Sequence, residues 1–350
     1  IAGGVLESHN AIEGGCIIDS TRSHEARIAA FGKLFMAVGL ALVTGPALGG
    51  ELVAQHGSAP FIVAASLTAC SLACAACWMP EYLPKARRRD DPGMGLLSTL
   101  RSFAQLLVHD PHLPWYVAAS ALSNLGISAF LSVRTPWARH TFGWEGREIG
   151  RVVSTYGLTL VFAQFVLLPV LLTIMSGREA LLAQLCLLLH TARFSGYGLA
   201  GSGSSVYVAL VFSTAGSCSV PVLQALCSRC VPEEDHALLS GGASALNTAV
   251  QVIGALIGSH IFASSLDGGT HTSAHLLFCA ACCGVGAACI IPVMCAERRR
   301  ASASWMLKAE GMLGSDATLP APTARGSMLL RREWLQRDGA DSPQRGCSAR

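Results

Sequence analysis

The sequence predicts an all-α, polytopic membrane protein, and three observations carry that prediction. Charged residues make up 13% of the chain and hydrophobic residues 51%, with a mean hydropathy of +0.47. Soluble domains run at roughly 25% charged residues, so this chain has too little charge to cover a water-facing surface. Apolar runs recur at about the 20-residue length that a bilayer-spanning helix needs. The breaks between them are short and rich in Gly, Ser, Pro and His.

Residues 1–18 are weakly apolar and interrupted by Glu7, His9, Asn10 and Glu13, which reads as the end of a helix and not as a span. Eight spans follow, at 29–54, 60–78, 113–133, 149–175, 180–199, 205–226, 241–264 and 275–295. Between the second and third lies a charged stretch holding Lys85, Arg87, Arg88, Arg89, Asp90, Asp91 and Pro92. Leu96, Leu97, Leu100, Phe103, Leu106 and Leu107 then recur at helical spacing with Arg101 and Gln105 between them, the pattern of a helix lying along a membrane surface. Beyond Arg298, Arg299 and Arg300 the composition shifts to Ala, Ser, Pro, Gly and Arg, which predicts a disordered tail with a short helix at 327–336.

Several function classes are disfavoured. The net charge of +3 and the scatter of arginines over loops and tail do not form a nucleic-acid footprint. No GxSxG, HExxH or GxxxxGK string is present, so the chain reads as a non-enzyme with no cofactor. Cys74–Cys77 and Cys279–Cys282 have CxxC spacing inside apolar runs, without the four convergent ligands zinc requires. They read as small, polarizable packing residues, and no metal site is expected.

Loop charge predicts orientation, because cytoplasmic loops concentrate Lys and Arg. Arg22, Arg27 and Lys33, then Lys85 to Arg101, then Arg178, Arg229 and Arg298 to Arg300 fall on one side in alternation. The charged linker and the tail are therefore expected in the cytoplasm. Arg134, Arg139, Arg147 and Arg151 are the exception, on the side otherwise poor in basic residues.

The most specific string is Gly45-Pro46-Ala47-Leu48-Gly49-Gly50, with Gly39 upstream. Glycines let membrane helices approach closely and proline removes a backbone hydrogen bond, so a kinked, tightly packed helix is expected. This string resembles the antiporter motif in the fifth helix of the major facilitator superfamily, in its drug-antiporter branch of tetracycline-resistance-type and hippocampus-abundant-transcript-like carriers. Ile18 to Arg22, Glu25 to Arg27 and Phe31-Gly32 resemble the branch's segment before that helix. Phe142-Gly143-Trp144, Glu148-Ile149-Gly150, Gly157 and Gln164 resemble its approach to the eighth helix, and Val231-Pro232-Glu233 with Gly241 to Ala245 its approach to the eleventh. His236-Ala237 stands where the family commonly has Gln-Gly.

The resemblance implies that the spans correspond to family helices five to twelve, as in an N-terminally truncated carrier. Residues 1–80 would be a remnant of the N-terminal six-helix half, 81–111 the cytoplasmic linker with its surface helix, 112–297 the C-terminal half, and 298–350 the cytoplasmic tail. The implied function is secondary transport of a small organic solute across a lipid bilayer, as a proton-coupled drug or metabolite antiporter. The alternative is an incomplete, non-transporting membrane protein that needs a partner half.

Polar groups within spans are costly and so mark candidate sites. Asn124, Gln164, Asn247 and Gln251 either converge on a substrate in the central cavity that the family implies, or each bonds a neighbouring helix. Asn247 and Gln251 share one helix face. Asp19 and Arg27 are candidates for a cytoplasmic gating network or a plain solvated loop. Gln224 lies late in its span, and His260 is expected at an interface. His190 and Arg193 lie in one span, where Arg193 is expected to snorkel to water from the outer end and otherwise to meet an anionic group.

Overall fold

The computed structural model describes residues 9–21, 23–55, 57–78, 96–232, 235–267 and 273–299. The charged linker at 81–95, Glu233 and the tail from residue 300 lie outside them. The described residues are helical and connected by short turns. In chain order the helices are α1 (His9–Ser20), α2 (His24–Gln55), α3 (Ala59–Trp78), α4 (Leu96–His109), α5 (Leu113–Phe142), α6 (Gly146–Phe162), α7 (Leu168–Ile174), α8 (Glu179–Gly198), α9 (Gly203–Gly216), α10 (Ser219–Arg229), α11 (His236–Asp267) and α12 (Ala274–Cys289). A π-helical turn, Ala163–Leu167, joins α6 to α7 into one rod.

Among the described residues, seven helical segments are long and apolar enough to cross a membrane. The expected span at 180–199 differs in kind. It forms α8, of 20 residues, but His190, Thr191, Arg193 and Ser195 dilute its apolar content. Those polar groups are accommodated because the helix turns His190 and Arg193 inward, to 2% and 4% exposure.

α5 is longer than its apolar run. Asp110 accepts hydrogen bonds from the backbone of His112 (2.7 Å) and Leu113 (3.3 Å), satisfying donors that a helix start leaves open. Past Val133 the residues become basic and aromatic, yet the helix continues to Phe142. It stops at Gly143, whose φ of 66° is the left-handed conformation that closes helices. α6 opens with the Glu148 carboxylate accepting from the Glu145 backbone (3.1 Å).

Two buried clusters hold the bundle. One joins α5, α8 and α10 through Leu113, Leu182, Leu187, Val222 and Leu226. The other is aromatic, built on Phe130, Trp137, Phe194 and Tyr197. α4 is amphipathic as expected, and buries Phe103 and Leu106 while Arg101 stays exposed. α3 buries nothing, and Phe61, Leu67, Leu72 and Trp78 all point outward. The cysteines divide accordingly. Cys279, Cys282 and Cys283 pack in the core, whereas Cys70, Cys74 and Cys77 are exposed on α3 and do no packing there.

The glycine string of α2 also divides. Gly39 meets Gly157 of α6 backbone to backbone: a Cβ at Gly157 would lie 2.7 Å from the Gly39 carbonyl oxygen, and one at Gly39 would lie 3.0 Å from that of Gly157. Gly45 and Gly49 have nothing within 4 Å of a Cβ position, and the surroundings of Gly50 lie outside the described residues. The expected tight packing is thus confined to the Gly39 end, because only there does a second glycine face the first. Pro46 sits inside an unbroken α2, its ring beside Gly150.

Candidate functional site

A cleft of about 570 Å³ opens between α2 and the α6–α7 rod. Glu25, Lys33 and Met36 line one wall, and Gln164, Phe165 and Thr173 line the other. The cleft is therefore mostly apolar, with one side chain of each charge and an amide.

Gln164 is placed by two prolines. Pro169 has no N–H, so the turn before it cannot close in the usual α pattern. The Leu168 N–H instead reaches back five residues to Ala163, making the π turn that carries Gln164. Opposite, Pro221 leaves the Ser217 carbonyl without its normal helical donor. The Gln164 Nε2 donates to that carbonyl at 3.2 Å. Its Oε1 is buried and unpartnered beside Gly32 of α2, where a Cβ would lie 3.4 Å from it. An unmet buried acceptor of this kind costs about 1–3 kcal/mol.

The four sequence candidates occupy three places. Asn124 and Asn247 meet, with Asn124 Nδ2 donating to Asn247 Oδ1 at 3.2 Å and to the Ser120 carbonyl at 2.9 Å. Both are half-buried, and they couple α5 to α11. Gln164 belongs to the cleft. Gln251 is exposed, one turn along α11 from Asn247.

Arg27 ties three elements together. Its Nη1 donates to the Ser228 hydroxyl (2.9 Å), and Nη2 and Nε reach the Thr21 carbonyl and hydroxyl (both 3.4 Å). His236 Nε2 lies 3.1 Å from the carbonyls of Ser228 and Val231, so Ser228 joins Arg27 to the start of α11. The Asp19 side chain lies outside the described residues.

Arg193 corrects the expectation of snorkelling. It is 4% exposed and donates through Nη1 to Ser213 at 2.9 Å. Its guanidinium carbon lies 4.2 Å from the Phe194 ring centre, 5.8 Å from Tyr156 and 5.9 Å from Tyr197. The reason is local: rings from α6 and α8 and a hydroxyl from α9 give the cation a nearer environment than water. Arg134 of α5 faces the same two tyrosines. Among the described residues no carboxylate pairs with either arginine. Cation–π contact supplies about 2 kcal/mol when desolvated, against several kcal/mol for burying an ion, so the cluster is under-compensated. Sequence reasoning could not see this cluster, because residues 134, 156, 193 and 213 come from four helices.

Comparison with known proteins places this geometry. The family model of the Major Facilitator Superfamily matches residues 2–259. The chain is 25% identical over 285 residues to the class C tetracycline resistance protein of Escherichia coli, covering 76% of this chain and 65% of that protein. It is 26% identical over 272 residues to the class G tetracycline resistance protein of Vibrio anguillarum, covering 73% and 64%. The chain thus spans about two-thirds of the length of these relatives, 65% and 64%. The solved structure of the human organic anion transporter MFSD10 (TETRAN) shares the fold, with a TM-score of 0.62 at 20% identity over 79% of this chain and 65% of that one. A helical, multi-pass bundle with a glycine seam between α2 and α6, matched by the family model over most of its length, is an integral membrane protein that belongs to the Major Facilitator Superfamily.

Proposed function

We propose that the protein is a secondary active transporter of a small organic solute, working as a proton-coupled drug or metabolite antiporter. The cleft between α2 and the α6–α7 rod carries this reading: an amphipathic chamber of about 570 Å³ is the size of a small-molecule site. Transporters of this kind work by rocking helical units about a central site. Gly39 and Gly157 supply a side-chain-free contact on which α2 and α6 can slide. In this reading residues 1–80 belong to the N-terminal half and 112–297 to the C-terminal half. Residues 81–111 are the linker, and linker and tail face the cytoplasm as their arginines favour.

Gln164 lines the chamber that the solute occupies, and Glu25 is the carboxylate at the cleft on which proton coupling is tested. Asn124 and Asn247, hydrogen-bonded between α5 and α11, line the central solute path in this reading with Gln251 one turn along, and Asp19 and Arg27 act as the cytoplasmic gate. The relatives' name makes tetracycline the first solute to test. In proteoliposomes, an imposed pH gradient should drive tetracycline flux that a protonophore abolishes, and Glu25→Gln should uncouple it. Flux equal to that of empty liposomes, under either gradient direction, would sink the antiporter reading for this solute.

A further inference from the structure

The cleft of about 570 Å³ between α2 and the α6–α7 rod is graded from one end to the other. The two elements run antiparallel in even steps: Pro46 lies beside Gly150, Gly39 against Gly157, and Gly32 against Gln164. The next such step brings Glu25 level with Leu172 and Thr173, which line the cleft with it. The floor lies at the other end, past Met36, where the Gly39–Gly157 contact leaves no space between the backbones. The apolar span of α2 begins at Glu25 and that of the rod ends at Ile174. The mouth of the cleft therefore sits at a bilayer surface and its floor in the hydrocarbon.

Polar groups change character along this axis. At the mouth, Glu25 supplies a carboxylate. Beside it the Thr173 hydroxyl donates to the Pro169 carbonyl at 2.9 Å, which leaves its oxygen free to accept. Deeper in, Lys33 supplies a positive charge and three donors. It lies about 12 Å of helix rise from Glu25, but helical side chains lean toward the N-terminus, so its ammonium reaches back toward the mouth. Among the described residues neither Glu25 nor Lys33 has a side-chain hydrogen bond or ion pair. The floor is apolar, with Met36, Phe165 and Leu168. Next to it Val166, Val170 and Ile174 form an exposed apolar stripe along the rod. From water inward the order is acceptors, a cation, then apolar surface.

We propose that the cleft binds a phospholipid with a primary-ammonium headgroup, phosphatidylethanolamine, its ammonium held by Glu25 and Thr173 and its phosphate by Lys33. Such a lipid carries its groups in the same order, with ammonium outermost, phosphate next and acyl chains below. The chains lie against Phe165 and the Val166, Val170 and Ile174 stripe. A primary ammonium is selected because it brings N–H donors to two acceptors, and charge-assisted bonds are the strong ones. That the lipid shares its cleft with a transported solute rests on the transporter reading above; that it binds does not.

The test uses the whole chain, delipidated in maltoside micelles and titrated with phosphatidylethanolamine, phosphatidylcholine and phosphatidylglycerol, with bound lipid counted by native mass spectrometry. Phosphatidylethanolamine should bind saturably. Phosphatidylcholine, which keeps the charges but has no N–H, and phosphatidylglycerol, which lacks the cation, should each bind roughly tenfold more weakly, as loss of a charge-assisted contact implies. Lys33→Gln should weaken phosphatidylethanolamine and phosphatidylglycerol alike. Glu25→Gln should weaken phosphatidylethanolamine and not phosphatidylglycerol, a crossed response that a merely misfolded variant does not give. Equal affinity for the three lipids in the wild-type chain overturns the proposal without requiring any variant to fold. So does an unchanged lipid preference in a folded Glu25→Gln protein. Free phosphoethanolamine binding as tightly as the whole lipid would assign the cleft to a soluble zwitterion and overturn the lipid reading. Tetracycline flux is measured separately in phosphatidylcholine liposomes, so absent transport with the lipid preference intact defeats the antiporter reading alone.

Discussion

The seam between α2 and α6 and the cluster around Arg193 solve opposite problems. At the seam, Gly39 and Gly157 remove side chains so that two backbones touch, and nothing charged lies at the contact. At the cluster, Tyr156, Phe194 and Tyr197 crowd large rings around a buried cation. The seam is sensitive to volume and indifferent to charge. The cluster has its volume filled and its charge unmet. Close packing in a membrane fold is therefore compatible with removing side chains at a contact or with enclosing a charge among rings.

The largest expected effect breaks the seam. Gly157→Leu drives a side chain into the α2 backbone, where neither partner has a flexible end to yield. Overpacking costs about 1–3 kcal/mol and occasionally more, and this site belongs at the upper end; a large fall in melting temperature and loss of monodisperse protein in detergent would register it. If Gly157→Leu protein melts like wild type, the backbone contact is not holding α2 to α6. Next comes Gln164→Leu, which strands the Ser217 carbonyl beside Pro221 and should cost about 1–3 kcal/mol. A thermal melt of that variant near the wild-type value would show that the carbonyl finds another donor.

Arg193→Leu sharpens the comparison by having the opposite sign. Replacing an under-compensated buried charge with an apolar side chain is often neutral or stabilising by about 1–4 kcal/mol, so this variant should melt at or above wild type. A strongly destabilised Arg193→Leu protein would mean the cation is structural. The Asn124–Asn247 hydrogen bond should register as a coupling of about 0.6 kcal/mol in a double-mutant cycle, the usual scale between membrane helices. Smallest is Gly45→Ala, placed where a Cβ meets nothing. A shift beyond about 0.5 kcal/mol there would reveal a neighbour of α2 in the bilayer.

Much of the fold was legible in the sequence because lipid imposes a one-dimensional rule. Apolar runs of bilayer length become helices, since every backbone group must be satisfied internally. The helices of the described spans follow, and the apolar pattern at 96–107 contains Phe103 and Leu106, which α4 buries. The rule failed at its edges. It ended α5 at residue 133, because it reads hydropathy, whereas the helix stops at Gly143, which reads backbone conformation. It predicted that Arg193 reaches water, because the hydropathy of α8 says nothing about which rings other helices bring.

Membership of the fold and the boundaries of most helices were determined by the sequence by itself, through composition, spacing and the Gly39–Gly50 string. The tertiary structure alone decided which polar groups meet. It paired Asn124 with Asn247 across 123 residues, set Gln164 opposite the carbonyl that Pro221 leaves open, and enclosed Arg193 among residues of three helices. The physical reason is range: helix formation in lipid is driven by each segment's own backbone and hydropathy, while the partner of a buried polar side chain is supplied by whichever distant segment packs against it.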